Sequence, residues 1–172
     1  MNFQIEFGLL TSVAVNLHIK QTRKGPPGNK GFRVPFIIHP LQVLQLVQRW
    51  GITDFTVLNQ ILWKAIVFHD SIEDTICTYE FLINLIGKPS ADIALELTQA
   101  SDEDSVDYMA SFETKSIDAL VAKCADRICN TEDYMKDSPE YSYKYLCKAS
   151  LVFETLYKRK QEVVDRFGED VW

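Results

Sequence analysis

The chain has 172 residues, of which 47% are hydrophobic and 24% charged, and its formal net charge is −6. That is enough apolar material for one full core, and it excludes disordered and fibrous classes. The acidic balance argues against a nucleic-acid binder held by phosphate neutralisation. No stretch approaches the about 18 apolar residues of a membrane span. The apolar run from Leu9 to Val15 has Glu6 ahead of it and no basic start, so no secretory leader is expected. Cys77, Cys124, Cys129 and Cys147 form no CxxC pair and fit reduced thiols in a cytoplasmic protein.

The six prolines lie between or at the starts of helix-period segments, and of the seven glycines only Gly8 falls inside one. Ile5, Leu9, Val13 and Leu17 recur every fourth residue and predict an apolar helix stripe. Lys20, Arg23, Lys24, Lys30 and Arg33 then crowd a Gly/Pro-rich loop. Pro40 suits the first turn of a helix running to Gly51. Asp54 can cap the next, which carries Leu58, Leu62, Ala65 and His69. Thr78 to Ile86 ends at Gly87, and Ser90 to Thr98 is a shorter helix. Asp102, Glu103, Asp104 and Asp107 form an acidic loop, read as solvated. A longer helix is predicted from about Thr114 to Asn130, with Ile117, Val121, Cys124 and Ile128 on one side. Ser138-Pro139 opens another, with Leu146, Ala149, Phe153 and Leu156 inward, and a last short one holds Val163, Val164 and Phe167. With no long period-two segment, the fold class is all-α, a bundle of about seven to nine helices forming a single domain over residues 1–172.

Histidine is scarce: His18, His39 and His69 are all there are. His69 pairs with Glu73, and Asp70 with Asp74, at i,i+4 spacing, which gathers carboxylates and an imidazole on one patch. Like charges so close repel unless a cation sits among them. A divalent metal is the simplest resolution, and the mixed donor set suits Mn²⁺, Fe²⁺ or Zn²⁺. An ordinary exposed helix end is the plainer alternative. His39 stands just before Pro40 at a helix start. Asp126 lies beside the apolar stripe of its helix, with Lys123 and Asn130 three and four residues away on the same face. A buried carboxylate needs a metal or a partner, here Arg23, Arg127 or Lys123. The Gly25-to-Gly31 loop is not a P-loop: it has no Gly-Lys-Ser/Thr, and Pro26 and Pro27 remove backbone donors.

Together these segments resemble the HD-domain metal-dependent phosphohydrolases, and among them the hydrolase domain of the RelA/SpoT family in its small stand-alone metazoan form. The matching strings run from His18 through Gln21, Arg23 and Lys24 to Gly25, from Pro35 to Pro40, from His69 to Thr75, and from Ala125 to Asn130. They follow the family order with near-family spacing. The resemblance implies one divalent metal, Mn²⁺ before Fe, Zn or Mg, held by His39, His69, Asp70 and Asp126. It implies that Glu73 and Asp74 act beside the metal, positioning or deprotonating the attacking water. It places Arg23, Lys24 and Asn130 in a nucleotide pocket, where Lys123 joins them; His18, which recurs in the matching string, is ambiguous and is read as orienting its neighbours rather than binding metal.

The implied activity is hydrolysis of (p)ppGpp at its 3′-pyrophosphate, giving GDP or GTP and pyrophosphate. The alternative is the same chemistry on a (d)NTP, NADPH or another nucleotide phosphoester. The departures from the family pattern motivate that alternative: a longer loop from Lys24 to Pro35, Phe36 in place of a tyrosine, bulky Trp63 and Phe68, and a weak match after Asn130. Tyr141, Tyr143, Lys144 and Lys148 are candidates for the far wall of the pocket, with a surface stripe the plainer reading. The expected partner is a small nucleotide, with neither nucleic acid nor membrane. With no synthetase domain after Trp172, a single-activity hydrolase is expected.

Overall fold

Side-chain caps mark five of the ten α-helix starts in the computed structural model, which describes residues 2–24 and 33–172, the side chains of Lys24, Lys136 and Asp137 apart. Asn2 accepts from the Gln4 amide at 3.0 Å and opens α1 (Phe3–Leu17). Two short strands follow, β1 (Thr22–Lys24) and β2 (Arg33–Pro35), then α2 (Ile38–Arg49) and α3 (Val57–Val67). The single turn α4 (Ser71–Asp74) leads to α5 (Tyr79–Ile86), α6 (Lys88–Leu97) and α7 (Ser105–Ala110). The chain continues into α8 (Ile117–Asp137), α9 (Pro139–Lys158) and α10 (Lys160–Phe167), with 3-10 turns at Ser111–Glu113 and Glu169–Val171. Gly87 takes φ +83°, open to glycine without strain, and so ends α5 and starts α6 without a linker.

The helical class holds, with details that the sequence pattern misplaces. The cap of α3 is Thr56 rather than Asp54: its extended backbone lets Oγ1 accept from the Asn59 amide at 3.2 Å. Ser116 caps α8 through the Ala119 amide, so that helix starts three residues after Thr114 and runs on past Asn130. The predicted α1 stripe divides. Ile5 and Leu9 are 59% and 57% exposed, and the buried residues are Leu10 and Ala14. Each four-residue step advances by about 40° around the axis, so a strict fourth-residue row drifts off the core face. Leu58, in the first turn of α3, and Leu146, on α9, are also exposed.

Within the basic segment, β1 and β2 pair antiparallel, Arg23 opposite Val34, which a three-residue strand is too short to announce by alternation. The loop 25–32 lies outside the described residues.

The core gathers around α8, which packs on α2, α3, α6 and α9. Its buried face is built mainly of small residues, Ala119, Ala122, Cys124 and Ala125, which let neighbouring helices approach closely. They meet Val43 and Val47 of α2, Leu62 and Ile66 of α3, and Ala94 and Leu97 of α6 in one apolar cluster. Trp63 and Phe68, bulky for their place before the His-Asp pair, are both buried in it. Cys77, Cys124, Cys129 and Cys147 are free thiols. Among the described residues no helix is long and apolar enough to cross a membrane.

The two faces of α1 make the register testable. Leu10→Ala is expected to destabilise the fold by about 2–5 kcal/mol, as large-to-small core changes do. Leu9→Ser should stay within about 0.5 kcal/mol, as exposed substitutions do. Urea denaturation of the two variants measures the difference.

Candidate metal centre and substrate cavity

Three elements carry the donor atoms. His39 stands in the first turn of α2, where Pro40 needs no amide partner. His69 and Asp70 lie where α3 unwinds into α4. Asp126 sits midway along α8. The packing of α2 and α3 on α8 brings them together: His39, His69 and Asp126 each offer an atom within 4.8 Å of the others, and all three are buried. His39 Nε2 is 3.1 Å from Asp126 Oδ1. Asp70, less buried, closes the group, with Oδ2 3.1 Å from His69 Nε2 and 3.7 Å from His39 Nε2.

Proton positions in this cluster suit a cation. His69 Nδ1–H donates to the Ile66 carbonyl at 2.8 Å, which turns Nε2 toward the carboxylates. Nε2 is buried and makes no hydrogen bond. Burial opposes a charged His69, yet the Asp70 charge and Asp126 outweigh it and push the imidazole up to about 10. Burial likewise disfavours a charged Asp70, but His69 holds its carboxyl down at about 2. His39 moves the other way, lowered by burial despite Asp126. The two carboxylates thus favour a positive charge at His69 Nε2. Two imidazoles and two carboxylates, with the orphaned His69 Nε2 facing the carboxylates, fit a divalent ion such as Mn²⁺, Fe²⁺ or Zn²⁺.

Outside this group the site changes character. Lys123, buried on the same helix, reaches Asp126 Oδ2 at 3.2 Å and lies 4.9 Å from the Tyr108 ring centre. Two of the alternatives open for Asp126, Lys123 and Arg127, are its neighbours (Arg127 Nε at 3.8 Å), whereas Arg23 reaches it only through Asn130. Asn130 Nδ2 donates to Asp126 Oδ1 at 2.6 Å, and Asn130 Oδ1 accepts from Arg23. Arg23 also reaches Asp133 at 3.5 Å and lies 5.9 Å from the centre of the Phe36 ring. Lys24 follows on β1, and its side chain lies outside the described residues.

All of this opens into a cavity of about 450 Å³. Its floor holds His39, Asp70 and Asp126, its rim Glu73 and Asp74, and its far wall Arg23, Lys123, Arg127 and Asn130. The Gln99 amide donates to Glu73 Oε2 at 3.0 Å and fixes that carboxylate. At the rim, partial burial and the charges of Asp70 and Glu73 raise the Asp74 carboxyl above its usual range.

Of the candidate site residues, His69 and His18 do not line the cavity, and the Lys24 side chain lies outside the described residues. His18 is buried behind it, between Ser71 and Phe36. Sequence reasoning missed Gln99, Tyr108, Tyr134 and Tyr145, which complete the walls. Arg127 lies 4.8 Å from the Tyr145 ring centre, a wall contact on α9 that a helical count four residues past Tyr141 could have found. Tyr141 and Tyr143 themselves are exposed.

A buried imidazole-carboxylate floor facing cationic side chains is the make-up of a metal-assisted phosphohydrolase site. No protein-family model matches the chain. A guanosine-3′,5′-bis(diphosphate) 3′-pyrophosphohydrolase MESH1 of Xenopus tropicalis is 30% identical over 132 residues, covering 74% of this chain and 68% of that protein. MESH1 of Danio rerio is 30% identical over 136 residues, with the same shares of both chains. The solved structure of a metazoan SpoT ortholog that hydrolyzes ppGpp superposes with a TM-score of 0.72 over 88% of this chain and 85% of its own, at 20% identity, a likeness of fold. The chain belongs to the SpoT-like, HD-type hydrolase family represented by MESH1.

Loading the site should release the His69 proton, since both carboxylates are already ionised. Below about 10, the pKa of His69, each fall of one pH unit is expected to weaken Mn²⁺ binding about tenfold. Calorimetry in buffers of different ionisation enthalpy reads the proton release directly. Metal at saturating concentration, about 100 times its Kd, should also stabilise the fold by about 2.7 kcal/mol, and Asp126→Ala should abolish both effects.

Proposed function

We propose that this chain is a divalent-metal-dependent pyrophosphohydrolase of (p)ppGpp, cleaving the 3′-pyrophosphate to leave GDP or GTP. The observation that carries the reading is the two-sided cavity, acidic and imidazole-bearing on its floor and cationic on its wall, in a chain whose relatives carry that activity in their names. His39, His69, Asp70 and Asp126 would hold the ion, for which Mn²⁺ is the proposed choice. When bound, it lowers the pKa of water and polarises a phosphoryl oxygen.

The remaining chemistry belongs to the side chains. Asp74, with its carboxyl raised above the usual range by partial burial and by Asp70 and Glu73, is the proposed base that takes the proton of the attacking water. Glu73, held by the Gln99 amide, positions that water. Lys123 balances Asp126 and turns its ammonium toward the charge that develops on the phosphoryl oxygens. Arg23, tied to Asn130 and 5.9 Å from the Phe36 ring centre, offers a flat cation for a nucleobase or a phosphate, with Lys24 beside it on the strand. In an acidic chain this local basic wall also guides an anionic substrate inward.

Product analysis tests the proposal. With Mn²⁺, ppGpp should yield pyrophosphate and GDP, EDTA should stop the reaction, and NADPH and the four dNTPs in parallel should be left largely intact. Asp74→Asn should lower kcat by about 10²–10⁴ while metal affinity is kept. Turnover confined to NADPH or a dNTP would mean that the substrate assignment is wrong, and an Asp74→Asn enzyme of undiminished kcat would remove Asp74 as the base.

A further inference from the structure

The turn that carries Glu73 and Asp74 is only four residues long, and both of its ends are held from outside. At its start, Ser71 is fully buried, and its Oγ lies 3.2 Å from His18 Nε2. At its end, the Asp74 carbonyl accepts from Gln21 Nε2 at 2.6 Å. His18 Nδ1 and Gln21 Oε1 are 2.5 Å apart, so the two ties form one continuous chain of hydrogen bonds.

That chain assigns the protons. Gln21 gives its amide N–H to the Asp74 carbonyl, so its Oε1 faces His18 and accepts. His18 Nδ1 therefore carries hydrogen, and in that tautomer Nε2 accepts from the Ser71 hydroxyl. Both ring nitrogens are engaged, and none is left for a metal. The ring stacks on Phe36, with centroids 4.5 Å apart and planes at 17°, and Phe36 meets the His39 ring at 6.0 Å and 66°. His18 is buried and does not reach the cavity.

We infer that His18 is a positioning residue: with Gln21 and Ser71 it forms a strut that fixes α4, and with it the direction of the Glu73 and Asp74 carboxylates relative to His39. The inference rests on the hydrolase reading above, because it assigns those carboxylates to the reaction. His18, Gln21 and Ser71 do not themselves line the cavity or join the donor cluster, so the strut's effect is expected on turnover. A displacement of about 1 Å in a reacting group costs on the order of a hundredfold in rate.

The test is His18→Phe, which keeps a ring against Phe36 and removes both hydrogen bonds. Its kcat for pyrophosphate release should fall by about tenfold to a hundredfold, with KM and Mn²⁺ affinity within about twofold of the wild type. His18→Asn, which returns an N–H donor toward Gln21, should recover part of the loss. If His18→Phe does not fold, Ser71→Ala and Gln21→Met each cut one tie and should show the same split between kcat and KM. An unchanged kcat, or a loss carried by KM or by metal affinity, would overturn the inference. A readout independent of activity is the ¹⁵N spectrum of the metal-free protein: His18 is expected as the Nδ1–H tautomer, and an Nε2–H ring would also overturn it. A wild-type protein that turns over no phosphorylated nucleotide defeats the hydrolase reading instead and leaves the tautomer result standing.

Discussion

Asp126 is a carboxylate in the middle of the molecule's central helix, only 4% exposed. An uncompensated charge there would cost several kcal/mol, so its surroundings are constrained by it. One oxygen faces His39 and accepts from Asn130, and the other faces Lys123. His69 and Asp70 complete the shell from the break between α3 and α4. The small residues on α8 serve the same end, since only a close approach of α2 and α3 brings both imidazoles within reach of this carboxylate.

From Asp126 the network runs outward in two directions. Through Asn130 it reaches Arg23 and the short hairpin, which ties the cationic wall to the same helix that carries the acidic floor. Through Asp70 it continues into α4, whose rim carboxylates are held by Gln99 on one side and by the His18 and Gln21 strut on the other. Floor, rim and wall therefore share one framework.

Much of the site was legible in the sequence because its residues break local rules. A carboxylate next to the apolar stripe of α8 has no packing reason to be there, and scarce histidines beside acids invite a metal reading. The helical class was legible from period and punctuation. The rest was hidden for physical reasons. Tyr108 and Tyr145 look like ordinary core or surface aromatics, and Tyr108 lies on a helix of six residues, too short to show a period. Gln99 acts through its backbone amide, which every residue but proline carries. The drift of the α1 row and the three-residue strands escaped because one-dimensional spacing does not report which neighbour a face meets.

The central claim is that the cluster around Asp126 is a metal centre and not a set of mutually neutralised side chains. An anomalous-difference map from crystals of the Mn²⁺-loaded protein tests it most directly. A single strong peak bounded by His39, His69, Asp70 and Asp126 is expected. A map with no peak there, or with manganese bound only at the exposed acids of the surface, would contradict the account.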